Sequence, residues 1–160
     1  MNNQNEVLIK MVISNWDLQN EKLDSMLASF SDEQLLKETA PGRNTGIYLL
    51  GHLTAVSDGI LPLLCLGEKL YPQLHEPFIK NPDKSGFEYP SIADLKTYWN
   101  NVNTTLKNRF STMQPNDWFN RHTAVSEEDF AKEPHRNKLN ILINRANHQS
   151  YHLGQMAYLK

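Results

Sequence analysis

Apolar residues recur along this chain at steps of three and four, the period of a helix face. From about Gln4 to Phe30 the stripe is Val12, Trp16, Gln19, Leu23, Met26 and Phe30. Ser31 followed by Gln34 has the form of a capping box and predicts a short helical turn. Pro41-Gly42 marks a loop. A second helix is expected after Asn44 and up to Gly67, apolar nearly all round and therefore the most buried, with Pro62 kinking it or ending it early. Ser91 caps a third helix with Asp94 three residues on; its stripe is Ile92, Leu95, Trp99, Val102, Leu106, Phe110 and Met113, and Pro115 ends it. Asn116 to Arg136 reads as irregular apart from a turn at Ser126-Glu127-Glu128-Asp129, and a fourth helix runs from about Asn137 to the C-terminus. No strand pattern or internal repeat interrupts this. The expected fold is all-α, a four-helix bundle in a single domain over residues 1–160.

Glu68 to Pro90 stands apart. It carries Pro72, Pro77, Pro82 and Pro90, half of the eight prolines, and reads as a long connection rather than a helix. Extended, such a segment reaches up to ~75 Å, against ~35 Å for a helix of equal length. It can cross the molecule and so permits helices two and three to run parallel.

Composition narrows the function classes. Sixteen Lys and Arg against eighteen Asp and Glu give a net charge of −2, without the basic excess of a dedicated nucleic-acid binder. Cys65 is the only cysteine, so no intrachain disulfide and no thiolate-rich zinc site can form. Met1 to Lys10 lacks the basic-then-apolar pattern of a signal peptide, and a cytoplasmic location is expected. Ile47 to Leu66 is long and mostly apolar, but it contains His52, Thr54, Ser57, Asp58 and Pro62. A central Asp costs roughly 2.5–3.5 kcal/mol in a membrane, so a buried helix is expected instead.

The candidate chemistry lies in three of the six histidines. His148 and His152 are one turn apart, within ~40° on one helix face, so both imidazoles can reach one spot. Spacing alone also fits two solvated histidines near a helix C-terminus. The stripe around them, however, is Ile141, Asn144, Gln155 and Leu159, a polar island bracketed by apolar residues. A polar island inside a bundle is where metal sites are built. A second stripe of Leu139, Leu142, Ala146, Leu153 and Ala157 needs cover, from a neighbouring helix or from a second copy. His52 sits on an apolar face of helix two and must find a partner. If helices two and four pack together, three imidazoles converge.

Three neutral nitrogens suit Zn, Ni or another late divalent metal and leave a position for water or substrate. Asp58 lies about 120° round from His52 and is a poor ligand. Asn144 and Gln155 are candidate outer contacts or simple polar filler; Tyr48, Trp16 and Tyr151 are candidate pocket walls or simple core.

Leu49-Leu50-Gly51-His52-Leu53, together with Asn147-His148-Gln149-Ser150-Tyr151-His152-Leu153-Gly154-Gln155, resembles the DinB-like (DinB/YfiT) family in order and spacing. The Ser31 to Leu35 turn fits as well. The resemblance implies an up-down-down-up bundle with a crossover between helices two and three. It implies a divalent metal, often nickel or zinc, on His52, His148 and His152, and often a homodimer. It also implies a small-molecule substrate and chemistry by a bound water or a low-molecular-weight thiol, as a transferase or a hydrolase. A non-catalytic metal-binding stress-response module and a bare structural bundle remain as alternatives.

Overall fold

In the computed structural model, which describes residues 3–160, the expected stripes become four long helices. They are α1 (Asn3–Ser29), α3 (Gly46–Asp58), α5 (Ile92–Thr112) and α7 (Lys138–Met156). Short helices α2 (Asp32–Leu35), α4 (Ile60–Leu63) and α6 (Glu127–Lys132) lie between them, and no strand occurs among the described residues. The protein is all-α. Met1 and Asn2, the start of the stretch read for a signal peptide, lie outside the described residues.

Local chemistry explains most boundaries. Ser31 and Gln34 close a reciprocal capping box on α2. The side chains of Ser91, Ser126 and Asn137 accept from backbone N–H groups at the starts of α5, α6 and α7. Helix two differs from expectation. Thr45 caps it, in keeping with a start after Asn44, but it breaks at Gly59 instead of at Pro62. Pro62 has no N–H for the Asp58 carbonyl, and its ring would press on that carbonyl, so the helix gives way upstream of the proline. The apolar Gly46–Leu63 stretch is long enough to cross a membrane, yet it is 67% buried within this protein.

The proline-rich connection also departs from expectation. It holds a 3-10 turn at Pro72–Leu74 and a π turn at Glu76–Lys80. Pro72 and Pro77 sit at the first positions of these turns, where no donor is needed, so they start turns rather than prevent them. Leu74 and Phe78 are thereby buried against α3. At one end both Asp58 carboxylate oxygens accept backbone N–H groups, from Leu70 and Tyr71, at 2.8 Å. Further on, the Tyr48 hydroxyl donates to the Asn81 carbonyl at 2.8 Å. At the other end Asp83 accepts from the Thr45 backbone at 2.7 Å and from its hydroxyl at 2.8 Å. The connection thus travels back along α3, from its C-terminal to its N-terminal end.

The second apolar stripe of α7 finds its cover inside the chain. Leu139, Leu142 and Ala146 pack with Ile9, Trp16 and Phe110, and Leu153 packs with Leu23 and Leu53. Only Ala157 is exposed. The stripe therefore carries no argument for a second copy.

One glycine has a packing role. A Cβ on Gly51 would overlap the Phe78 ring, which is fully buried against α3. Gly51→Ala should cost about 1–3 kcal/mol by overpacking. It should also weaken metal binding, because the Phe78 main chain anchors His52. Denaturant unfolding and a metal titration check the two effects; unchanged values in both would show that Phe78 moves freely.

Candidate metal centre

His52 leaves α3 one residue after Gly51, and His148 and His152 leave α7 one turn apart. The two helices pack together, and the three imidazoles meet. Their Nε2 atoms face inward: His148 Nε2 lies 3.2 Å from that of His52 and 3.1 Å from that of His152. All three ligand atoms lie within 4.8 Å of one another.

The outer ring nitrogens fix the proton positions. His52 Nδ1 is 2.7 Å from the Phe78 carbonyl, which can only accept, so Nδ1 carries the proton. His152 Nδ1 donates to Gln155 Oε1 at 2.7 Å. Both inward Nε2 atoms are then bare lone pairs. His148 cannot satisfy both: a proton on its Nε2 serves one neighbour and leaves the other neighbour's lone pair without a donor, and without that proton all three lone pairs face one another. Its Nδ1 is buried with no partner, so a proton there is orphaned as well. A cation at the centre removes the lone-pair conflict. Zn–N bonds of ~2.0–2.1 Å at tetrahedral angles separate their nitrogens by ~3.3 Å, close to the observed contacts. The residues fit a divalent metal, and the outer partners match the arrangement that orients metal-binding histidines.

Electrostatics keep the ligands neutral. Burial, then the neighbouring His152, His52 and Arg145, pushes the His148 pKa down to about 4. Burial is also the main cause that lowers His52, with Arg145 adding to it and the Phe78 carbonyl opposing it. Burial and His52 lower His152 against the opposing bond to Gln155. Because the unfolded chain protonates first, metal-free stability should be full above pH ~6.5 and fall as pH drops toward the lowered folded values. Metal affinity should fall over the same range. Chemical denaturation from pH 8 to pH 4 checks this; stability that rises on acidification would contradict it.

The other sequence candidates spread out. Tyr48 stacks on His52, with ring centroids 6.1 Å apart, but spends its hydroxyl on Asn81. Gln155 holds His152, and Tyr151, itself exposed, sets its ring 5.2 Å from the His152 ring. Asn144 is exposed and makes no hydrogen bond with the triad, and Trp16 is core, packed on Phe110. Asp58 anchors the connection. His75 and His135 lie away from the triad, and His122 caps its own turn by accepting from Ala124 N at 3.2 Å. A hollow of about 440 Å³, lined by Thr39, Arg43, Tyr151, Gln155 and Tyr158, adjoins the centre through Gln155.

Two contributors were missed in the sequence. The Phe78 carbonyl carries no side-chain signal. Arg145 did leave one, since it precedes His148 by three residues on the same helix.

No curated protein matches this chain. The sequence model of the DinB superfamily matches residues 15–156, which span α3, the proline-rich connection and both histidines of α7. With the three histidines gathered at one centre, and with most of its length matched, the chain belongs to the DinB superfamily.

Proposed function

We propose that this protein is a metal-dependent enzyme that transfers a small nucleophile, a low-molecular-weight thiol in preference to water, onto an electrophilic small molecule. The observation that carries the reading is the convergence of three inward Nε2 atoms with the outer nitrogens of His52 and His152 already bound. His52, His148 and His152 hold a divalent ion, zinc or nickel. When bound, such an ion lowers the pKa of a thiol or water and stabilises the anion at neutral pH. The chain's own part is to keep the imidazoles neutral and oriented: Phe78 and Gln155 hold the Nδ1 protons, and burial excludes water. Among the described residues no carboxylate joins the cluster of His52, His148 and His152, so no acidic group stands beside the three nitrogens as a general base. That favours a thiol, which loses its proton far more readily than water, over a hydrolytic reaction. In the transfer the sulfur forms a bond to the electrophilic carbon while the leaving group departs with the bonding pair.

The same reading takes the domain as an up-down-down-up bundle. Support comes from paired residues, Asp24 with Trp99 and Asp17 with Lys107, for antiparallel α1 and α5, and from the core for parallel α1 and α7, where Ile9 and Trp16 cluster with Leu139 and Leu142 while Leu23 and Leu27 cluster with Leu153 and Met156. A cytoplasmic homodimer completes the proposal, with Val7, Leu8 and Met11 of α1 as its exposed apolar face.

The test is cobalt-substituted protein treated with 2-mercaptoethanol. A sulfur-to-cobalt absorption band should appear and be lost in His152→Ala, and the loaded protein should speed thiol addition to 1-chloro-2,4-dinitrobenzene. A silent spectrum without turnover would favour the non-catalytic metal-binding module.

A further inference from the structure

Arg145 stands beside this centre without a counter-charge from any of the described residues. It lies on α7 one turn before His148 and is half-buried. Its Nε is sealed from solvent with no hydrogen-bond partner, and it forms no ion pair among the described residues. The terminal guanidinium nitrogens also lack partners but are not sealed, so they open toward solvent. Its charge acts on His52, His148 and His122, and not appreciably on His152. Along α7 it stands one turn before His148 and two turns before His152, at the His148 end of the triad. The other arginines of this region are occupied: Arg121 donates to the Val125 carbonyl at 2.6 Å, and Arg136 pairs with Glu133 at 3.1 Å.

An arginine keeps its charge at all accessible pH values, so it cannot escape burial by deprotonation. Left half-buried and unpaired beside three imidazoles, it works against both folding and metal binding. A fold that retains such a group completes it from outside. The planar fork of donors suits a carboxylate.

We propose that Arg145 is the anion receptor of the three-histidine centre, holding a carboxylate of the small molecule that reacts there. The proposal rests on the metal-site reading for its reaction, but the binding itself does not need metal. The carboxylate belongs either to the thiol or to the electrophile, and both place the reacting atom on the His52–His148 side.

The first measurement uses metal-free protein at about pH 7.5, where the imidazoles are neutral. The Nε–H resonance of Arg145, assigned by its loss in Arg145→Gln, is followed while sodium acetate is added against sodium chloride at equal ionic strength. A saturable shift with acetate alone is expected. No acetate shift, or the same shift with chloride, overturns the proposal. The second uses cobalt-loaded protein. If the thiol carries the carboxylate, mercaptoacetate binds about tenfold or more tightly than 2-mercaptoethanol, and Arg145→Gln removes only that preference. If the electrophile carries it, the two thiols bind alike and the acetate shift persists with 2-mercaptoethanol bound. An acetate shift in a protein that takes up no cobalt leaves the receptor standing and removes the metal reading. Arg145→Met should melt no lower than the parent when no anion is present; a lower melting temperature would show that the chain itself satisfies Arg145 and would overturn the proposal.

Discussion

Replacing His148 or His152 by Ala is expected to abolish stoichiometric metal binding, while the protein stays folded. Each replacement removes one of only three nitrogens and leaves two ligands. Loss of a mere outer partner of a metal ligand weakens binding by about 10–100-fold, so loss of a ligand itself should exceed the upper end of that range. Gln155→Leu supplies the graded comparison. It frees the His152 ring without removing it, and should weaken binding within that 10–100-fold window. Changes at His75, His122 or His135 should leave affinity unaltered, since none joins the centre. Competition with a chromophoric chelator measures the whole series. Equal losses at a loop histidine and at His148 would break the assignment. His148→Ala should not lose stability in the metal-free state, because His148 buries an unsatisfied Nδ1 and crowds the lone pairs of its two neighbours.

Asp58→Ala should be the most damaging single change to stability. The residue is 1% exposed, and its two oxygens hold the backbone N–H groups of Leu70 and Tyr71. Hydrogen bonds to a charged group contribute about 1.5–3 kcal/mol each, so a loss of about 3 kcal/mol or more is expected. For a chain of this size that corresponds to a melting temperature lower by roughly 6–12 °C. Asp58→Asn retains one acceptor and should fall between the two. The loss should also spread to the metal centre, because Asp58 starts the segment that later delivers the Phe78 carbonyl to His52. Calorimetry of metal-free and metal-loaded protein checks both parts; a melting temperature within a degree of the parent would show that solvent replaces the carboxylate at no cost.

What could be read from the sequence was whatever side chains express with a period. The stripes of α1, α5 and α7 identified buried faces, and the serines at 31 and 91 sat where backbone donors needed them. The meeting of His52 with His148 and His152 was legible only on the condition that α3 and α7 pack together, a condition met in the structure. Main-chain roles left no such trace. Phe78 acts at the centre through its carbonyl, and its placement depends on two prolines opening turns and on Gly51 leaving room. Helix two broke ahead of Pro62 because the proline's steric demand falls on the preceding turn. The second stripe of α7 looked uncovered because periodicity finds an apolar face without saying which neighbour takes it. Arg145 was overlooked because an arginine on a helix is ordinarily solvated; only its missing partners set it apart.

The central claim is that three imidazoles of this chain form one metal site. Elemental analysis of untagged protein, purified without chelators and compared with His52→Ala prepared alongside, tests it most directly. The account predicts about one divalent ion, zinc or nickel, per parent chain and close to none in the variant. A parent protein that carries no metal and takes up none when zinc, nickel or cobalt is supplied at neutral pH would contradict it.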